Sequence, residues 1–382
     1  MVTAALVLAT SSSAAQEVTG GVRAGVYEDD DRTEVVRMLA TIQAALTRWR
    51  LSARESVDTV SSASIDVRTS PYIDAMTSAS ALGMSDRRFE TTLGAGYDDG
   101  NGHTAGLSLV HALERDYQSI SVGLNTSFDL FSRNTTLLAS VHASHNWIGS
   151  IFDPSFARTM DELGYSIGVA QVLSPSAAVR LRYDASIADG YQASPYRAVR
   201  FGDWTTMPTR DSGVLTFVNT IGPATGLPEN VPEDRVRHAV VGEWVQSLAR
   251  PVALATEIRL ALDSWGVRSL TAGAELRFQP SDPWQLSVGY RFFIEGAADF
   301  FLPKYTQEPT MYEYYTSDKE LGEERGHLGS FDLGYIVKNW PSAGRSLQFD
   351  AQLNFFRYRY PGFVLLEARG SVFADVGLRL DF

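Results

Sequence analysis

The chain has 382 residues, a net charge of −12 and no cysteine, which excludes a disulfide framework and thiolate metal sites. Its acidity argues against a nucleic-acid partner, which needs a basic face. It is 44% hydrophobic and 20% charged with a mean hydropathy of −0.11, and the absence of any run of about eighteen apolar residues excludes a membrane-spanning helix. Such averages suit a membrane barrel as well as a soluble protein, because only alternate residues of a barrel strand face lipid.

At the start, Ala4 to Ala9 forms a short apolar core followed by Ser11-Ser12-Ser13-Ala14-Ala15-Gln16. This predicts a signal peptide over 1–15, with cleavage before Gln16 and the mature chain running over 16–382. The usual basic segment before the apolar core is missing.

From residue 20 onward the chain alternates with period two, so that each segment has one oily and one polar face. In 117–130 the apolar set is Ile120, Val122, Leu124, Phe128 and Leu130, interleaved with Ser119, Ser121, Gly123, Asn125, Ser127 and Asp129. The same pattern predicts strands near 20–28, 34–43, 46–58, 87–97, 103–114, 117–130, 134–148, 163–173, 177–189, 234–248, 251–263, 267–279, 284–296, 327–338, 346–358 and 370–382. About sixteen antiparallel strands, an even number, predict a closed transmembrane β-barrel of an outer membrane.

The connections sort by parity. One set is short: Ala44-Ala45, Asp98 to Gly102, Phe131 to Arg133, Ser174 to Ser176, Arg250-Pro251, Pro280 to Pro283 and Pro341 to Arg345. The other holds every long loop: 59–86, 149–162, 190–233, 297–326 and 359–369. Short periplasmic turns with long extracellular loops are the mark of an outer-membrane barrel. Aromatics such as Trp49, Tyr97, Trp284 and Trp340 fall at the inferred periplasmic ends, as interfacial rings do. The last segment carries Val372, Ala374, Val376, Leu378, Leu380 and Phe382 on one face. It resembles the insertion signal read by the barrel assembly machinery, which makes that machinery and outer-membrane lipid the expected partners.

With the oily face outward, the predicted lumen lining is Arg48, Arg50, Arg54, Arg88, Glu90, Arg180, Arg182, Asp184, Glu257, Arg259, Glu275, Arg277, Arg291 and Glu295. Two readings follow. Opposed charges around a hydrated lumen suit a porin-like channel or export conduit. An interior laced with ion pairs and plugged by long loops suits a non-conducting scaffold or surface-interaction barrel. Sixteen strands leave more room than side chains fill, but 190–233 or 297–326 is long enough to plug it.

No catalytic residue, metal site or cofactor is expected. His142-Ala143-Ser144 has the His-x-Ser spacing of a barrel phospholipase, but both residues point inward. His142 and His145, three apart on a strand, face opposite sides. Glu28 to Asp31 reads as a solvated acidic turn lacking the spacing and glycine of a calcium loop. Phe300 to Leu302 with Tyr312, Tyr314 and Tyr315 suggests an aromatic rim, or alternatively a sugar-stacking platform.

Four stretches carry a family resemblance: Val57 to Ser64, Asp189 to Arg197, Arg235 to Ala239, and Gly289 to Phe293 with Ala297 to Phe301. Together they resemble an uncharacterised outer-membrane β-barrel family of proteobacteria, catalogued as a domain of unknown function. The first stretch departs from it, with Ser61-Ser62-Ala63-Ser64 where members commonly show Ser-Gly-Ala-Ser. The resemblance implies a barrel and no catalytic residues. It marks Asp58, Ser64, Tyr191, Pro195, Tyr196, Arg197, Arg237 and His238 as candidates for holding loops or binding a ligand. Relatives encoded beside a small lipoprotein, a thioredoxin-like protein and a flavin-attaching transferase imply a periplasmic or lipoprotein partner in an envelope or redox-associated assembly.

Overall fold

The alternating segments close on themselves in a computed structural model, which describes residues 17–62, 84–151, 153–208, 215–219, 225–340 and 345–382. The predicted signal peptide, Ser64 with most of 59–86, and most of the turn from Pro341 lie outside the described residues.

The first nine strands are β1 (Glu17–Asp29), β2 (Thr33–Ala45), β3 (Trp49–Ser62), β4 (Met84–Asp98), β5 (His103–Leu113), β6 (Tyr117–Leu130), β7 (Thr135–Ile148), β8 (Arg158–Ser174) and β9 (Ala177–Gly190). Four short strands follow: β10 (Ala198–Phe201), β11 (Trp204–Pro208), β12 (Leu215–Asn219) and β13 (Thr225–Pro228). The remaining seven are β14 (Asp234–Ala249), β15 (Val252–Asp263), β16 (Arg268–Ser281), β17 (Trp284–Glu295), β18 (Glu324–Lys338), β19 (Ser346–Arg359) and β20 (Ala368–Asp381).

Sixteen of these strands form one closed antiparallel barrel, each paired with its chain neighbour, with β14 beside β9 and β20 beside β1. The seam runs from Thr19 opposite Asp381 to Asp29 opposite Ser371. All sixteen predicted segments are present, and the largest differences are at their ends. β8 starts at Arg158 rather than 163, β18 at Glu324 rather than 327, and β3 runs four residues further, to Ser62.

Large apolar side chains stand exposed on the outward parity of every barrel strand, among them Val22, Leu107, Leu124, Ile167, Ile258, Val288 and Val376. No water-soluble monomer leaves so continuous an apolar belt uncovered. Polar residues also occur on this parity: Glu55 of β3 accepts a 2.6 Å hydrogen bond from Thr91, and His145 of β7 lies 2.6 Å from Asp161 of β8. The turn ends carry the register shifts, at Val172/Ser174, Ser247/Ala249 and Phe278/Ser281, where bulges commonly sit on barrel rims. Phe131, Ser132 and Arg133 all take positive φ, so the β6–β7 turn is built from three residues that rarely adopt that region.

β10 to β13 belong to no wall. β10 pairs with β13 and β11 with β12, as two small hairpin ladders inside the long connection between β9 and β14. Sequence periodicity over 190–233 had suggested only a loop, since four- and five-residue strands are too short for alternation to register.

Candidate functional site

The inward parity of the wall carries arginine and carboxylate side chains in register. Arg37 forms a two-pronged pair with Asp58, at 2.7 and 2.9 Å. Arg88 reaches Glu114 at 2.9 Å and Glu90 at 3.3 Å. Arg180 meets Glu243 at 3.1 Å, while Arg182 and Arg259 converge on Asp184 at 2.9 and 3.5 Å. Arg291 lies 3.7 Å from Glu257, Arg277 lies 2.7 Å from Glu275, and Arg23 bridges Asp375 and Asp350. Many of these pairs retain substantial solvent access. They are wet pairs lining a cavity, and exposed pairs contribute at most about 1 kcal/mol each.

Arg50 and Arg54 share the inward parity of β3, with no carboxylate partner among the described residues. Arg48 does not belong with them. It sits in the turn before β3 and donates to the Tyr97 hydroxyl at 3.4 Å, because the strand begins one residue later, at Trp49. Arg48 therefore marks the rim and not the lumen.

The two ends of the barrel differ. At the turn end, a cavity of about 540 Å³ lies against Arg23, Glu275, Arg277 and Gln285. At the loop end, the long connections fold together into a cap. Val231, Trp265, Val267, Ala298, Phe301 and Leu321 form one buried cluster, and Val199, Phe201 and Tyr305 form a second. Tyr305 and Tyr315 pack on Phe201 with ring centroids 5.7 and 5.0 Å away. Of the aromatic run of 297–326, Phe301 and Tyr305 thus belong to the dry core of the cap, Phe300, Tyr312 and Tyr315 pack against it half-buried, and Leu302 stays exposed. Val199 and Phe201, the apolar partners of Tyr305, come from the distant 190–233 connection.

Glu229 joins the two connections. Its carboxylate accepts from Ser194 N at 3.1 Å, Thr316 Oγ1 at 2.8 Å and Ser317 N at 2.9 Å. Arg197 lies 4.0 Å from it and 2.5 Å from Asp318. Burial pushes the Glu229 carboxyl above its ordinary range, and the Arg197 charge pulls it back only partly. A buried carboxylate persists only when donors and a cation surround it. On the flank, the turn after β14's neighbour β15 is closed by Asp263, which accepts from Trp265 N and Val267 N at 3.0 and 2.9 Å. Arg235 donates to Asp263 at 2.6 Å and lies 4.2 Å above the Trp265 ring.

The family-motif residues fall into two groups. Tyr196 donates its hydroxyl to Asp116 and accepts from Ile151 N at 2.9 Å. Tyr191 N donates to Thr159 O at 2.9 Å, and its ring meets Phe156. With Arg197, these two tether 190–233 to its neighbours, and Pro195, half-buried, lies between them. Asp58 and Arg237 instead face the lumen, paired with Arg37 and with Glu162 at 3.8 Å. His238 faces outward, its Nδ1 2.7 Å from the Tyr183 hydroxyl. Glu229 and Asp116 were missing from the sequence-predicted set, although Pro228-Glu229-Asn230-Val231-Pro232 shows a lone acid locked between prolines.

Against known proteins, one family model matches, described as "Protein of unknown function (DUF3570)", over residues 152–340. Over those residues the chain is similar to that family. The DUF3570 match spans β8 to β18 and so takes in both cap-forming connections, with three of the four motif stretches; Val57 to Ser64 lies before it. No curated protein matches the chain. Among solved structures, "Bacterial polysaccharide outer membrane secretin" aligns with a TM-score of 0.51 at 9% identity, covering 96% of this chain and 98% of that one. The Pseudomonas putida toluene transporter TodX gives 0.42 at 11%, covering 95% and 89%. The siderophore receptor PirA of Pseudomonas aeruginosa gives 0.41 at 9%, covering 89% and 56%. At these identities the likeness is one of fold: the chain is an all-β barrel like outer-membrane proteins.

Proposed function

We propose that the chain is an outer-membrane conduit whose charged lumen is closed at the loop end by its own cap. The observation that carries this reading is the contrast along the axis. The wall lining is ion-paired but half-exposed, whereas the cap above it has a buried core and a buried, fully bonded Glu229. A sixteen-stranded wall is wide enough for an aqueous channel, and a packed cap gives it something to gate with. The apolar belt faces lipid in this reading, and the long connections face outward from the cell.

The second reading, a non-conducting barrel that displays the cap to a periplasmic, lipoprotein or surface partner, is supported by how firmly the cap is knitted. Single-channel recording in planar bilayers separates the two. The native barrel should show small or intermittent currents, and Arg197→Ala, which unties Asp318 and Glu229, should raise the open fraction. Absence of current from both folded proteins would overturn the conduit and leave the scaffold.

A further inference from the structure

Beneath the cap, and separate from the turn-end cavity, lies a chamber of about 590 Å³, within the range of small-molecule sites. Strands β14 and β16 to β20 supply its walls, mostly through inward residues, and Asp318, Glu320 and Leu321 of the cap close it. Its chemistry is uneven. Arg235 is committed to Asp263 and the Trp265 ring, and Arg291 to Glu257. Arg369 stacks 5.5 and 5.9 Å from the Tyr358 and Tyr360 rings.

The carboxylates Glu295, Glu320 and Glu324 have no ion-pair partner among the described residues. Glu295 and Glu324 are direct cross-strand neighbours, so like charges face each other. Glu324 is only 8% exposed, lines the chamber, and receives no hydrogen bond from any described residue. Lys319 and Arg369 act on it at longer range, and Glu320 and Asp318 oppose them. A carboxylate this buried normally has its partners within bonding distance; here the cavity occupies that place. Phe293, Phe356 and Tyr358 complete the lining, and aromatic rings attract cations and pack against apolar bodies.

We propose that this chamber is a binding site for organic cations, a protonated amine held by Glu295, Glu320 and Glu324 with its apolar body against Phe293, Phe356 and Tyr358. This names the substrate class of the conduit and in that respect rests on the conduit reading. The three arginines set the alternative: if they governed the chamber, it would take organic anions.

The test is calorimetric titration of the folded full chain in detergent micelles, corrected for empty micelles, with phenethylammonium and benzoate as probes of similar size. Phenethylammonium should bind saturably and benzoate at least tenfold more weakly. Glu324→Gln should weaken phenethylammonium binding about tenfold and Glu320→Gln about threefold. Should Glu324→Gln fail to fold, as judged by heat-dependent gel mobility, Glu320→Gln decides, because Glu320 is exposed on the cap. No saturable binding, benzoate binding as tightly, or an unchanged affinity in the folded variants overturns the proposal. Current without binding would remove this site and keep the conduit; binding without current would keep the site and remove the conduit.

Discussion

Arg180–Glu243 in the lumen and Arg197–Glu229 in the cap are the same pair of side-chain types in opposite surroundings. The first has side-chain exposures of 46% and 26%, the second 21% and 2%. In the lumen, water solvates both charges before and after pairing, so the pair is close to neutral for stability. In the cap, each charge has lost its water, and the arrangement holds only because Ser194, Thr316 and Ser317 donate to Glu229 as well. Removing Glu229 there strands the donors that surround it, although Arg197 keeps Asp318. The barrel thus owes its stability to its sheet, while the cap depends on a few buried polar contacts, and the two should come apart separately.

The sharpest way to break that comparison is Glu229→Ala. It leaves the donors of Ser194, Thr316 and Ser317 facing an apolar gap while Arg197 keeps Asp318, at a cost of about 1–3 kcal/mol for each stranded donor, borne by the cap alone. Amide hydrogen exchange should speed up across 191–208 and 296–323, while barrel strands and the heat-dependent gel shift stay as they are. A variant whose barrel melts together with the cap would show one cooperative unit in place of two.

Gly190→Ala tests the hinge between the two regions with a smaller effect. Gly190 has φ +111°, and a Cβ there would lie 2.4 Å from Thr159 O, so a side chain meets rigid backbone in a region that L-residues avoid. We expect a loss of about 1–3 kcal/mol, visible as faster exchange at 191–197, where Tyr191 N leaves its bond to Thr159. Native exchange rates in the variant would mean that the end of β9 is free to shift.

These two substitutions also mark what was legible in the sequence. The walls were: alternation is a local property, and Ile120 to Leu130 states its own outward face without reference to any other strand. Parity of connection length fixed which ends share a side. The cap was not legible, because its core is made by residues far apart in sequence. Phe201 meets Tyr305 and Tyr315, and Glu229 meets Ser194 and Thr316, and no periodicity links such positions. Arg48 lies at the rim for a smaller reason, since its strand starts at Trp49, three residues later than the periodicity suggests. Glu324 was hidden in the same way, inside what looked like loop.

A pH series probes the buried side of the comparison. Burial raises the carboxyls of Glu229 and Asp116 above their ordinary values of 4.5 and 3.8. The closed cap therefore holds protons that an opened cap would release. Its contribution from these groups is fully present below the ordinary carboxylate range and is lost as pH rises through the raised values. Protease cleavage within the cap should accordingly be slowest in acid and quicken upward from about pH 4, with a weaker pH dependence in Glu229→Gln. A cap that opens faster in acid would reverse the sign and place Arg197's attraction above the cost of burial.

Arg180→Gln should barely affect stability, by less than about 1 kcal/mol, and its signature is electrical. Without Arg180, Glu243 stands beside Glu257, its direct neighbour on the adjoining strand, and Glu257 has only Arg291 at 3.7 Å to offset it. That stretch of wall turns negative, and cations should pass more readily, so the reversal potential in a salt gradient shifts toward cation selectivity. The field reaches about 10 Å at 0.1 M salt and about 3 Å at 1 M. The shift should therefore be clear in dilute electrolyte and nearly vanish in concentrated electrolyte. A reversal potential that stays put in both would place the ion path away from β9 and β14. The wet pairs of the lumen would then be wall chemistry with no part in selection, however exposed they are.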